Sequence, residues 1–182
     1  DVSKLKNLGF VNGYNEYEYK PYNNVTRAEF AKIISVILNT GSAEENVFKD
    51  VKKEHWVYGY LASLYRQGII NGDENGCFNP ESNVTYTEAA KMLVCSLGYT
   101  INAEEAGGYP FGYIKLAERL NIFNGVETSD KNSALSRGDM AVMVSNVLEE
   151  ELLVQESFGE NPYFEKRGTI LSEYHNIEKI NG

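Results

Sequence analysis

Three segments of this 182-residue chain are versions of one pattern, and no other feature limits its possible folds so tightly. The fullest version runs from Gly68 to Tyr99. It has an apolar turn, Gly68-Ile69-Ile70-Asn71-Gly72, a loop rich in Gly, Asn and Pro, and a helix opening at Thr85. Upstream, Gly9-Phe10-Val11-Asn12-Gly13 precedes a helix opening at Thr26; downstream, Asn121-Ile122-Phe123-Asn124-Gly125 precedes one opening at Ser136. Arg27 stands 14 positions after Gly13, Tyr86 14 after Gly72, and Arg137 12 after Gly125, so the only length change is a deletion within a loop.

The helices that follow are in register. Phe30, Ile33, Ile34, Ile37 and Leu38 match Ala89, Met92, Leu93, Ser96 and Leu97, and these match Met140, Met143, Val144, Val147 and Leu148. Spacing of i, i+3, i+4, i+7 and i+8 marks one buried helical face, used three times. A unit this small cannot bury its face alone, which predicts one shared core. Thr26 with Glu29 and Thr85 with Glu88 have the spacing of a capping box, and Ser136 with Asp139 is a shorter imitation. These three acids therefore have a structural role, which argues against reading them as a glycosidase pair. His55 and His175 form no metal motif, and no nucleophile elbow or phosphate loop is present. No catalytic residue, metal or cofactor is expected.

The repeated strings resemble the S-layer homology (SLH) domains of bacterial surface proteins. The second segment carries most of that pattern: Phe48-Lys49-Asp50-Val51, His55-Trp56, the Gly68–Gly72 turn, Gly76-Cys77-Phe78-Asn79-Pro80 and Val84-Thr85. Thr26-Arg27-Ala28-Glu29 supplies the most diagnostic string, and Ser136-Arg137-Gly138-Asp139 a looser one. Two departures stand out: Tyr86 occupies a position usually held by Arg, and the first segment lacks the Phe-x-Asp-Val…Trp lead-in. The resemblance implies a mainly α fold, with three SLH repeats forming a pseudo-trimer around a central three-helix bundle. The repeats span 1–46, 47–106 and 107–150, and 151–182 is an extension or a link into a further domain.

A formal net charge of −9 with no dense basic run argues against nucleic acid as a partner. No run of 18 apolar residues is present, so membrane insertion is not expected. The chain begins at Asp1, as a mature or trimmed chain would, and export is implied by the resemblance alone. That resemblance also implies a monomeric, non-catalytic module at the cell wall, binding a secondary wall polysaccharide with acidic groups such as pyruvate ketals. The alternative is a protein–protein module that assembles surface-layer subunits. Two anionic partners repel at long range, so polysaccharide capture needs a local cationic site.

Arg27 and Arg137, in first helical turns next to free backbone N–H groups and the positive helix end, meet that need. Read without the resemblance, each is more simply a surface Arg paired with a nearby acid, contributing at most about 1 kcal/mol. In the family the grooves lie between repeats, which points to Arg27, Arg137, Asp50, Trp56, Gly13, Gly72 and Gly125 as ligand-binding residues. The site headed by Tyr86 should bind an anion poorly, leaving one or two working grooves.

Several other features carry two readings. Trp56 is either core filler or a groove wall, and Tyr14, Tyr17, Tyr19 and Tyr22 either pack on the domain or stack on sugars. Asp50 is a candidate cap for a helix carrying Trp56, Leu61 and Leu64. Asp73, Asn75 and Gly76 resemble the start of a calcium loop, but Val84 stands where the bidentate Glu belongs, so a turn is expected. Gly98 to Gly108 reads as a connector, and Cys77 and Cys95 as free thiols.

Overall fold

The computed structural model describes residues 1–13, 18–45, 47–157 and 162–177. Among these, the elements in chain order are α1 (Val2–Asn7), α2 (Arg27–Ile37), α3 (Tyr58–Arg66), α4 (Tyr86–Ser96), α5 (Thr100–Glu105), α6 (Phe111–Arg119), α7 (Arg137–Val147), β1 (Glu151–Gln155), β2 (Phe164–Thr169) and α8 (Ile170–His175). The fold is mainly helical, and α2, α4 and α7 begin where the capping signals place them. Thr26 and Thr85 each accept the N–H three residues on, and Glu29 and Glu88 reach back to the cap N–H at 2.9 Å. Asp139 is one methylene shorter, and its carboxylate accepts the Ser136 hydroxyl instead.

Just ahead of each cap lies a short extended segment, and the three segments bond to one another in a circle. Val25 N–H donates to the Leu135 carbonyl (3.0 Å), Leu135 N–H to Val84 (2.8 Å), and Val84 N–H to Val25 (2.9 Å). All three side chains are fully buried. The first two N–H groups of each helix are also taken by a loop of another segment. Arg27 and Ala28 donate to Ser82 and Pro80, Tyr86 and Thr87 to Ser133 and Lys131, and Arg137 and Gly138 to Asn23 and Pro21. The free helix-start N–H groups anticipated beside Arg27 and Arg137 are therefore not free: burying these ends required partners, and neighbouring carbonyls supply them.

Packing follows the same order. α1 lies on α7, α3 on α2 and α6 on α4, and one continuous apolar cluster runs through all of them. The stretch from Gly98 to Gly108 contains α5, which packs on α6, so it is more than a connector. Trp56 precedes α3 rather than lying within it, and α3 has no side-chain cap, so Asp50 does not serve as one. Residues 151–177, where described, fold back on the helices instead of trailing away. β1 and β2 pair antiparallel, Leu153 N–H donates to the Leu97 carbonyl, and Ile170 is fully buried. Gly98, at φ +86°, permits this docking, since a Cβ there would fall 2.0 Å from the Leu153 oxygen. His175 completes the clasp, with Nε2 2.8 Å from the Ile37 carbonyl and its ring 4.8 Å from that of Phe10.

Candidate functional site

Two grooves open where the helix starts meet the glycine-containing turns. The first, of about 490 Å³, is lined by Arg27, the turn from Ile69 to Asp73, Glu88 and Lys91 of α4, and Tyr109. The second, of about 310 Å³, is lined by Arg137, the turn from Gly9 to Asn12, Glu29 and Lys32 of α2, and Trp56. The correspondence is position for position: Arg27 with Arg137, Glu88 with Glu29, Lys91 with Lys32, Met92 with Ile33. Each groove draws on three parts of the chain: an arginine from one segment, a turn and helix from a second, and an aromatic ring from a third.

Neither arginine hangs free in its groove. Arg27 donates from Nε to the Phe78 carbonyl (2.8 Å) and from Nη1 to Glu88 (2.6 Å), with its guanidinium 4.8 Å from the Phe78 ring centroid. Arg137 donates to the carbonyls of Tyr19 (3.1 Å) and Asn12 (3.0 Å) and lies 4.7 Å from the Tyr19 ring centroid. The Tyr19 hydroxyl returns a bond to the Arg137 carbonyl. Burial raises the Tyr19 phenol above its ordinary range, against the pull of the guanidinium. The arginines thus fasten their loops while presenting positive charge to the groove floor.

The lysines supply a second cation. Lys91 Nζ is 2.8 Å from the Asn71 side-chain oxygen when that amide is oriented by its hydrogen bonds, its nitrogen donating to the Ile70 carbonyl. Lys32 Nζ stands 5.9 Å from the Trp56 ring centroid. Tyr109, 54% exposed, and Trp56, 51% exposed, offer a ring to each groove. Burial, then the Glu88 charge, raises the Tyr109 phenol, keeping it a neutral donor. Among the described lining residues, Arg27 and Lys91 stand with Asp73 and Glu88, and Arg137 and Lys32 with Glu29.

The corresponding face at Tyr86 is differently equipped. The Tyr86 hydroxyl donates to Asp139, and Val142 stands where Lys91 and Lys32 stand. Burial, followed by the Asp139 carboxylate, pushes the Tyr86 phenol up to about 12. This face has no cation from either equivalent position.

Of the residues singled out from sequence, Arg27 and Gly72 line the first groove and Arg137 and Trp56 the second. Trp56 is exposed, which removes the core-filler reading. Asp50 is not among the lining residues of either groove: its two oxygens accept the Phe78 and Asn79 N–H groups at 2.8 and 2.7 Å, shaping the loop that holds Arg27. Gly13 and Gly125 also stand outside both linings; Gly125 lies against Val142 of α7. Tyr22 is exposed, while Tyr14 and Tyr17 fall outside the described residues. Asp73 Oδ1 accepts two backbone N–H groups of its own loop, the turn expected there. The Cys77 N–H bond, then that from the Asn79 amide, holds its carboxyl below the usual range. Among the described residues no His, Cys, Asp and Glu cluster could hold a metal. Cys77 and Cys95 are free thiols.

Lys32, Lys91 and Tyr109 were not singled out from the sequence. Lys32 and Lys91 share a position in the aligned helices, and the match of Gly59 with Gly112 sets Tyr109 opposite Trp56.

Residues 1–31 and 47–90 match the S-layer homology domain profile. A middle cell wall protein of Brevibacillus brevis is 33% identical over 179 residues, covering 95% of this chain and 17% of that protein. A cell surface protein of Thermoanaerobacter kivui is 28% identical over 154 residues, covering 81% of this chain and 19% of the relative. A surface layer protein of Brevibacillus choshinensis is 31% identical over 163 residues, covering 87% and 14% respectively. The chain thus spans less than a fifth of each of these relatives. It carries an S-layer homology region over its first half and is homologous to bacterial proteins of the cell wall and surface layer, which places it outside the cell, at the wall.

Proposed function

We propose that this chain is a non-catalytic wall anchor that binds an acidic, pyruvylated polysaccharide in the grooves headed by Arg27 and Arg137. The observation carrying the reading is the matched equipment of the two grooves: an arginine fixed by loop carbonyls, a lysine on the facing helix, backbone of a glycine-containing turn, and an exposed ring. A ketal carboxylate suits a guanidinium and an ammonium converging from two sides, and the apolar face of a sugar suits an aromatic wall. On a chain whose overall charge repels anions at long range, capture of a carboxylate depends on these local cations. Underlying this is a pseudo-trimer of repeats at 1–46, 47–106 and 107–150, supported by the circle of bonds through Val25, Val84 and Leu135.

The test is retention of the purified chain on purified pyruvylated wall polysaccharide, with Arg137→Ala plus Lys32→Ala in parallel. Binding that the double variant loses supports the anchor. Equal binding by both rejects the Arg137 groove as a carboxylate site, whereas no binding to the polymer together with binding to polymer-free surface protein rejects the anchor and favours a subunit-assembly module.

A further inference from the structure

Asn-Gly occurs four times among the described residues, at 12–13, 71–72, 75–76 and 124–125, each time in the turn or loop ahead of a capped helix. Glycine carries no side chain to shield its amide nitrogen, so the asparagine amide beside it is open to attack from its own backbone. All four asparagines are exposed, and solvent access does not distinguish them. Their hydrogen bonds do.

At Asn75 the attacking group is tied up, because Gly76 N–H donates to the Asp73 carbonyl (2.9 Å). The N–H groups of Gly13, Gly72 and Gly125 have no partner among the described residues. Of the asparagines before them, Asn12 and Asn124 bond only through their main chains among the described residues. Asn71 alone has its side-chain amide held, the nitrogen donating to the Ile70 carbonyl and the oxygen accepting from Lys91 Nζ, both at 2.8 Å. An ammonium on that oxygen draws electrons from Cγ and stabilises the negative charge that builds there during attack.

We propose that Asn71 is a site of spontaneous deamidation, promoted by Lys91, and that the reaction disables the Arg27 groove. The Gly72 nitrogen bonds to Cγ of Asn71, the Cγ–Nδ2 bond breaks, and ammonia leaves with the proton from Gly72. Water then adds across either C–N bond of the resulting cyclic imide, leaving aspartate or, with the main chain rerouted through Cγ, isoaspartate. The balance is one water taken up and one ammonia released, with no change of oxidation state. Either product sets a carboxylate beside Lys91, which then pairs with the chain's own charge instead of a ligand's. The isoaspartyl chain is also longer by a methylene, in a turn where a Cβ on Gly72 would already lie 3.1 Å from Phe48 and from the Cys77 carbonyl. The loss of ligand binding rests on the wall-anchor reading; the reaction does not.

The test ages the purified full chain in mildly alkaline buffer and maps isoaspartate at each site by peptide mass spectrometry. Asn71 should convert about tenfold faster than Asn12 or Asn124, the worth of one charge-assisted hydrogen bond to the reacting oxygen, and Asn75 slowest of all. The ratio of conversion at Asn71 to that at Asn12 is the readout, since general loosening of the fold speeds both. Lys91→Ala should bring that ratio to about one, and Lys91→Arg, which keeps a cation there, should preserve it. Equal rates at Asn71, Asn12 and Asn124, or a ratio unmoved by Lys91→Ala, overturn the proposal. Isothermal titration with a pyruvylated hexosamine reads the consequence: the Arg27-groove equivalent should disappear in step with conversion at Asn71, and be missing from Asn71→Asp. Conversion at Asn71 with that equivalent intact, or with no sugar bound at any stage, leaves the modification site standing and overturns the carboxylate reading of the groove.

Discussion

The Arg137 groove and the face headed by Tyr86 stand on the same scaffold. Both have a hydroxyl cap, an acid three residues on, loop carbonyls over the first two helical N–H groups, and a glycine-containing turn against the next helix. They differ in what a ligand would touch. Arg137 is replaced by Tyr86 and Lys32 by Val142, and the acid that faces a guanidinium in one accepts a phenol in the other. The residues that build the scaffold and those that equip a groove are thus separable, and the equipment can lapse without loss of the fold.

That separation can be broken or sharpened experimentally. The largest effect should come from the shared scaffold: Leu135→Ala leaves a cavity in a fully buried position and should cost about 3 kcal/mol of unfolding free energy in urea titrations, weakening both grooves together. If one groove kept full affinity at a denaturant concentration where the other failed, the circle would not be acting as a unit. Next comes Arg137→Ala, which should weaken carboxylate binding by about 30-fold, or about 2 kcal/mol, in isothermal titration, while Tyr86→Phe leaves it unchanged. Grafting Tyr86→Arg with Val142→Lys should add a binding equivalent, read as an increase in titration stoichiometry. No increase would mean that more than the two cations is missing from that face.

Smaller effects separate the caps and the phenol. Thr26→Ala should cost about 1 kcal/mol in thermal or urea unfolding, since it removes a complete capping box. Tyr86 shows its effect only in alkali. Its phenol lies at about 12 when folded, against an ordinary 10.0, so the folded chain holds that proton more tightly. The associated stability is present in full below pH 10 and is lost as pH rises toward 12. Tyr86→Phe should flatten that part of the stability profile relative to the unmodified chain. An unchanged slope would show that the Asp139 contact does not form.

Much of this was legible in the sequence because local chemistry fixes it. The starts of α2, α4 and α7 follow from Thr26, Thr85 and Ser136 with their acids, and their buried faces from apolar spacing. The pairing of Arg27 with Gly72 and of Arg137 with Trp56 was only partly legible, because it depends on which segment lies beside which. Lys32 and Lys91 were missed since a lysine on a helix reads as solvated surface. Asp50 enters the ligand set through the family resemblance, and its acceptance of the Phe78 and Asn79 N–H groups leaves no local trace in sequence. The folding back of β1, β2 and α8 rests on Gly98 meeting Leu153 and on His175 reaching Ile37, contacts between residues far apart in sequence.

The circle through Val25, Val84 and Leu135 also bears on the order in which the module can assemble. Two of its three links belong to Leu135, in the third segment, so a chain emerging N-terminus first has only the Val84–Val25 link until Leu135 arrives. Before then the amide of Val25 and the carbonyl of Val84 lack their partners, and α7 is not there to receive α1. The circle, and the seat for α1, are therefore complete only when the third segment is in place.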